Sequence, residues 1–316
     1  MLPLRPLPSE TVAGLRPGRA DYPYFAGAAD VPFEPDAHAY SPANASWLAD
    51  ASLLVYAPPG IVSEAMGRSP LPRLGYRLDW LGPAETSRGF VLEREDVLIV
   101  VFRGTRLEAR TWLDHAEVVV LHQDDLWLDS QFLPSTWKAG GRVHSGFLQG
   151  FAAAAPLLDA ALAARRPGRR VWLTGHSLGG ALATLAAAHL GTAAVQGLYT
   201  MGSPRVGDAA FAGGLPTANH YRFVHRDDWV AQLPPEVLGY VHAGIRRDVP
   251  NDAPRNLWGD LLAGYGELAG MMTELSRSWK LDTGKLPFKV SGLADHMPEY
   301  YATLLWNALA RAPGAG

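Results

Sequence analysis

The sequence predicts an α/β fold: a mostly parallel central sheet with helices on both faces. Short apolar strand-like runs alternate with helical patterns along the chain, an order that packs crossover helices against both sides of a sheet. Within Phe90–Val101 the run VLIVV is continuously apolar, which suits a strand buried on both faces. Farther on, VWLTGHSLGGALATLAAAHL reads as strand, sharp turn and helix. Turns of that kind gather chemical groups along one edge of a sheet.

Taken in order, residues 1–25 carry four prolines before Asp21 and are expected to form an extended N-terminal arm. No repeat or low-complexity linker follows, so residues 26–312 are expected to form a single domain. Asn44–Ala57 places Trp47, Leu48, Ala51, Leu54 and Val55 at helical spacing, with Asn44 or Ser46 as cap and Pro58-Pro59 as stop. Two strand-like stretches come next, Tyr76–Leu81 and Phe90–Val101. An alanine-rich helix over Gly146–Arg166 is closed by Pro167-Gly168. Then come a strand at Val171–Thr174, a helix at Leu178–Leu190, and strands at Leu198–Met201 and Tyr221–Val224. Between Asn256 and Trp279, Leu257, Leu261, Tyr265, Leu268, Met272 and Leu275 recur at helical spacing, although four glycines weaken that helix. The last helix is expected over Pro298–Arg311.

Composition narrows the chemistry. The 316 residues include no cysteine, which excludes disulfides, thiolate metal sites and a cysteine nucleophile. With 28 Lys+Arg against 31 Asp+Glu the net charge is −3, so no basic field exists to hold nucleic acid. The N-terminal stretch lacks the uninterrupted apolar core of a secretory signal, and no run of about eighteen apolar residues suggests a membrane span. A cytoplasmic location is therefore favoured, or a secreted one if a leader has been removed.

The most informative residues surround Ser177. A serine on a sharp strand-to-helix turn takes strained backbone angles, and bulky neighbours two positions away would clash. Gly175 and Gly179 stand there. The helix that begins at Leu178 aims its amides and the positive end of its dipole at the turn, which favours an oxyanion held by the Leu178 amide. A serine nucleophile needs a histidine and an acid that orients it. Asp227 and Asp228 follow the strand HYRFVH, and neighbours on an extended chain point opposite ways, so at most one faces the histidine. Only His242 and His296 follow the acids in the chain. His242 lies in YVHAG, which reads as a strand entering the core. His296 sits in a loop before the last helix, free to reach the serine. His176 reads as a packing and hydrogen-bonding residue, and His144 as a brace for the sheet.

Five segments in order, VVFRGT (100–105), VHSGF (143–147), LTGHSLGGALATLAA (173–187), HRDDWVAQLPP (225–235) and DHMPEYY (295–301), make the chain resemble the class 3 lipases, the fungal-type lipases of the α/β-hydrolase fold. The resemblance implies a Ser-Asp-His triad that hydrolyses carboxylic esters, often water-insoluble ones, with no metal or organic cofactor. The family pattern places its acid five residues before the leucine of LPP, which selects Asp228, and its histidine at His296. The sequence departs from the pattern at Ala231, where the family usually has proline, and at Asp227, where it usually has asparagine. The second oxyanion donor falls, by resemblance, on Thr105. A mobile helical lid falls in RLEARTWLDHAEV, with Leu107, Trp112 and Leu113 on its apolar side. The implied activity is that of a triacylglycerol lipase or esterase working on an uncharged ester or lipid, in possible contact with a lipid-water interface. A phospholipase A1 or galactolipase would use the same site, and a silent lipid-binding protein would keep the fold but lose a triad member. Oligomeric state is not legible.

Overall fold

In the structure, a computed structural model, residues 2–8, 17–105, 132–165, 168–191, 193–215, 218–250 and 295–312 are described, together with the backbone alone for 107–112 and 116–121. Helix α1 (Pro42–Leu54) starts earlier than its apolar spacing suggests, because the Ser41 side chain accepts the Asn44 amide and proline occupies the first turn. Pro58-Pro59 does not simply stop it. Pro59 opens a second helix, α2 (Pro59–Arg68), since a first-turn residue has no helical use for the N–H that proline lacks.

Strand β1 (Arg77–Trp80) leads into the stretch expected as one long strand. That stretch is instead two antiparallel strands, β2 (Gly89–Glu93) and β3 (Val97–Phe102). The charged tripeptide Arg94-Glu95-Asp96 makes the reversal, closed by paired Arg94 and Val97 backbone bonds and an Arg94–Asp96 contact of 2.6 Å. Beyond it run β4 (Leu107–Trp112), β5 (Ala116–Leu121), β6 (Pro134–Thr136), β7 (Arg142–His144), helix α3 (Ser145–Ala163), β8 (Arg170–His176), α4 (Leu178–Leu190), β9 (Gly197–Met201), the short α5 (Ala209–Gly213), β10 (His220–Val224), β11 (Ile245–Asp248) and α6 (Pro298–Arg311). The helix expected within 256–279 lies outside the described residues.

The main sheet has seven strands in the order β1-β2-β3-β8-β9-β10-β11. It is antiparallel as far as β3 and parallel from β3 onward. Alternation along β3 divides the core: Val97, Ile99 and Val101 pack with α1 and α6, while Leu98, Val100 and Phe102 pack with α3 and α4. Each such side chain contributes roughly 1.5–3 kcal/mol on burial, and the two apolar layers fix the strand edge from which the Ser177 turn departs. Strand β11, IRRD, is exposed throughout, and having no apolar alternation it gave no sequence signal. His242 is not in a strand. Val241 makes only an isolated bridge to Gly207, and the His242 Nε2–H donates to the Ala231 carbonyl at 2.7 Å.

Helix α3 qualifies the expectation of no membrane span, because it is long and apolar enough by length and composition to cross a bilayer. Here it lays Phe147, Phe151, Ala154 and Leu158 against α4 and the sheet.

Candidate active site

The site begins with backbone strain at Ser177. Its φ of 58° and ψ of −130° lie in a region that L-residues rarely occupy. Such a turn survives only where nothing crowds it. A Cβ on Gly175 would lie 2.3 Å from the Gly179 carbonyl carbon, and one on Gly179 would lie 2.2 Å from the Phe102 oxygen. The two glycines therefore let α4 close onto the ends of β3 and β8. Ser177 caps α4 but makes no side-chain capping bond, which leaves its hydroxyl for another partner.

That partner is His296. The Ser177 hydroxyl donates to His296 Nε2 at 2.9 Å, and the imidazole Nδ1–H reaches both Asp228 oxygens at 2.9 Å. Asp228 is fully buried. Its Oδ1 also accepts the Val230 amide at 2.9 Å, and its Oδ2 accepts the Tyr301 hydroxyl at 2.5 Å. These bonds satisfy the buried carboxyl group without water. The backbone amide of Asp227 donates to Asp295 Oδ2 at 3.3 Å, and it is Asp228 that meets His296. The structure thus brings together Ser177, His296 and Asp228, and leaves out Asp227 and His242. Such a chain can take a proton from serine and return it to a leaving group.

Leu178, the first residue of α4, has an amide with no carbonyl one turn earlier to receive it. Across from it, Gly104 packs so tightly that an added Cβ would lie 3.2 Å from Ser177 Cβ, which sets the half-buried Thr105 beside the nucleophile. The lid expectation fares differently. Leu107 and Trp112 lie on β4, which pairs with β5 in an antiparallel hairpin, Leu107 opposite Leu121 and Trp112 opposite Ala116. The backbone is therefore extended and not helical, in keeping with the β-branched run Val118-Val119-Val120. Leu113 lies outside the described residues.

Residues 99–238 match the family model described as lipase (class 3). Over that stretch, less than half of the chain, the protein is similar to the class 3 lipases. A secreted mono- and diacylglycerol lipase 1 of Fusarium solani is 46% identical over 110 residues, 33% of this chain and 33% of that protein. A lipase of Rhizomucor miehei is 32% identical over 181 residues, 52% of this chain and 45% of that protein. The chain thus spans less than half the length of these curated relatives. A solved deletion mutant of the Rhizomucor miehei lipase propeptide complex shares the fold, with a TM-score of 0.50 and 24% identity over 80% of this chain and 82% of that one. The fold is the α/β-hydrolase fold that the resemblance implied.

Around this centre stand further supports. The Tyr56 hydroxyl donates to His176 Nδ1 at 2.9 Å, and His176 Nε2–H donates to the His296 carbonyl at 2.6 Å. Burial first, and the nearby His296 second, hold the His176 pKa well below the ordinary imidazole value, so it stays neutral and keeps that tautomer. His225 Nδ1–H donates to the Asp295 carbonyl at 3.0 Å, pinning the neighbour of His296 to the stretch that carries Asp228. Gly202, at φ +56°, closes the centre from the side: a Cβ there would lie 2.6 Å from Asp228 Oδ2 and 3.0 Å from His296 Nδ1. His144, expected as a brace, accepts the Gly146 and Phe147 amides through Nδ1 and so caps α3. Tyr301 had one sequence signal. A tyrosine in the first turn of a buried helix needs a partner for its hydroxyl.

Proposed function

We propose that this chain is a serine carboxylic-ester hydrolase acting on lipid esters of the acylglycerol class. The observation that carries the reading is the unbroken hydrogen-bond chain from Ser177 through His296 to the buried Asp228, set on a strained turn at the head of a helix. Ser177 attacks the ester carbonyl while His296 accepts its proton, and Asp228 steadies the imidazolium that forms. The developing oxyanion is held by the amides of Leu178 and Thr105, each worth about 3–4 kcal/mol in a preorganised site. His296 then protonates the leaving alcohol, and the acyl group remains on Ser177 until His296 activates a water that releases the acid.

Two further points support the reading. The relatives named above are lipases, one of them of mono- and diacylglycerols. A silent lipid-binding protein would have no need to keep Ser177 at a positive φ with its hydroxyl on an imidazole. As to location, two relatives are secreted lipases, which favours the secreted alternative over the cytoplasmic one.

The test uses p-nitrophenyl esters of short and long acyl chains beside an acylglycerol emulsion, with the parent chain and Ser177→Ala. The variant should lose on the order of ten-thousand-fold or more in kcat, keep its melting behaviour, and no longer be labelled by a fluorophosphonate. Turnover that persists in the folded variant would sink the assignment.

A further inference from the structure

A second polar centre lies on the α4 side of the sheet and includes no member of the triad. Its lining comes from Thr184 of α4, Thr200 of β9, Ser203 in the following loop, His220 and Arg222 of β10, and His242. Thr200, Arg222 and Arg246 are register neighbours across β9, β10 and β11, so their side chains leave the sheet on one face. This is a row of hydrogen-bond donors carrying two guanidinium groups.

Among the described residues Arg222 has no carboxylate of its own, and the nearby Asp248 pulls on it only weakly. The Arg222 Nε is buried and without a hydrogen-bond partner, and among the described residues its guanidinium makes no ion pair. The carboxylates nearby are already engaged. Asp248 binds Arg246 at 2.8 Å, and Glu236 binds Arg205 at 2.6 Å, while Arg205 also donates to the Pro234 carbonyl. Burial first, then repulsion from Arg246 and Arg205, pulls Arg222 down to about 10, a value at which it is still a cation at neutral pH. His242 adds no positive charge, since burial and then Arg222 hold its pKa near 3. A partly buried cation with only like charges as free neighbours costs free energy unless a counter-ion reaches it.

We propose that this cleft binds one small inorganic anion, chloride in ordinary buffers, held by Arg222 with Thr200 beside it. The size of the guest follows from the space. The cleft has room for about one water-sized particle, a scale closer to a monatomic anion than to a tetrahedral oxyanion. The site stands independently of the ester-hydrolase reading. It does share a boundary with that centre, because the lining loop starts at Ser203, next to the Gly202 that packs on Asp228 and His296.

The experiment measures the melting temperature of the full chain at fixed ionic strength while sodium gluconate is exchanged stepwise for sodium chloride. The parent should show a saturable rise of a few degrees, because a ligand that binds only the folded state stabilises it by mass action. Arg222→Met should lose the rise. Arg170→Met, which alters an exposed arginine paired with Asp36, should keep it. Should Arg222→Met fail to fold, Ala243→Asp decides: a carboxylate supplied within the lining should raise the melting temperature in gluconate and abolish the chloride response. Equal melting in both salts, a linear response shared by parent and Arg222→Met, an unaltered response in Ala243→Asp, or stabilisation by phosphate without chloride would each overturn the proposal.

Discussion

Tyr301 donates to Asp228 from the first turn of α6, and burial together with the Asp228 charge holds its own pKa well above the ordinary phenol value, so it remains a donor at any working pH. Tyr301→Phe removes one charge-assisted bond from a carboxylate that no water reaches. The expected result is a fall of about tenfold or more in kcat with KM little changed; equal kcat in a folded variant would remove Tyr301 from the positioning of the acid. Two residues earlier, Glu299 is buried, and among the described residues its carboxyl oxygens find no partner outside its own backbone. Burial raises its pKa from 4.5 to about 8. The unfolded chain therefore binds fewer protons than the folded one between these values, and stability falls as pH rises through that window. Glu299→Gln should be the more stable protein, by an amount that grows from little at pH 4.5 to on the order of a few kcal/mol at pH 8. Urea denaturation at both ends of the window checks the sign, and an advantage that shrank with pH would contradict it. At this scale Ser177 stood out in the sequence through the two glycines of its turn, and His296 through its order in the chain together with the family resemblance. The partners of Tyr301, Tyr56 and Gly202 were not readable, because each acts on residues far away in sequence, Tyr301 on an acid 73 positions before it.

The turn between β8 and α4 shows how an element sets the site. Gly179 is the second residue of α4, and its missing Cβ lets the helix rest on the end of β3. Gly179→Ala must push the helix off that carbonyl, with an expected loss of about 2 kcal/mol or more and of ester hydrolysis with it. Gly67 in α2 meets nothing within 4 Å of an added Cβ, so Gly67→Ala should stabilise by about 0.5–1 kcal/mol through the unfolded chain. Thermal melts of the two variants side by side are the measurement, and shifts of the same sign would show that helical glycine content, and not the close approach, governs both. Elements with strong apolar periods were legible, with α4 and α6 falling on their expected bounds. The elements missed were those set by punctuation or pairing: α2 after a double proline, the charged reversal inside 90–101, the exposed β11 and the β4–β5 hairpin, whose mixed composition suits either backbone.

Over the whole molecule, the first described residues tie down the last helix. The Arg5 amide donates to Asn307 Oδ1 at 2.7 Å, the Asn307 amide nitrogen returns a bond to the Arg5 carbonyl at 2.9 Å, and Trp306 donates to the Pro3 carbonyl at 2.8 Å. The Arg5 guanidinium lies 4.5 Å from the Trp306 ring and forks onto Asp50 of α1 at 2.6 and 2.9 Å, with both side chains almost wholly buried. Asp50 also accepts the Phe25 amide at 2.8 Å. One ion pair therefore joins the N-terminal segment, α1 and α6, and α6 is the helix that carries Tyr301 to Asp228. Breaking such a pair from one side strands a buried charge, whereas removing both charges does not. Arg5→Met should cost about 3–5 kcal/mol. Arg5→Met combined with Asp50→Asn should recover a large part of that loss, because asparagine can still accept the Phe25 amide while leaving no charge behind. Denaturant melts of the single and double variants give the comparison. A double variant no more stable than Arg5→Met would mean that the guanidinium acts through its packing on Trp306 and not through the charge it neutralises.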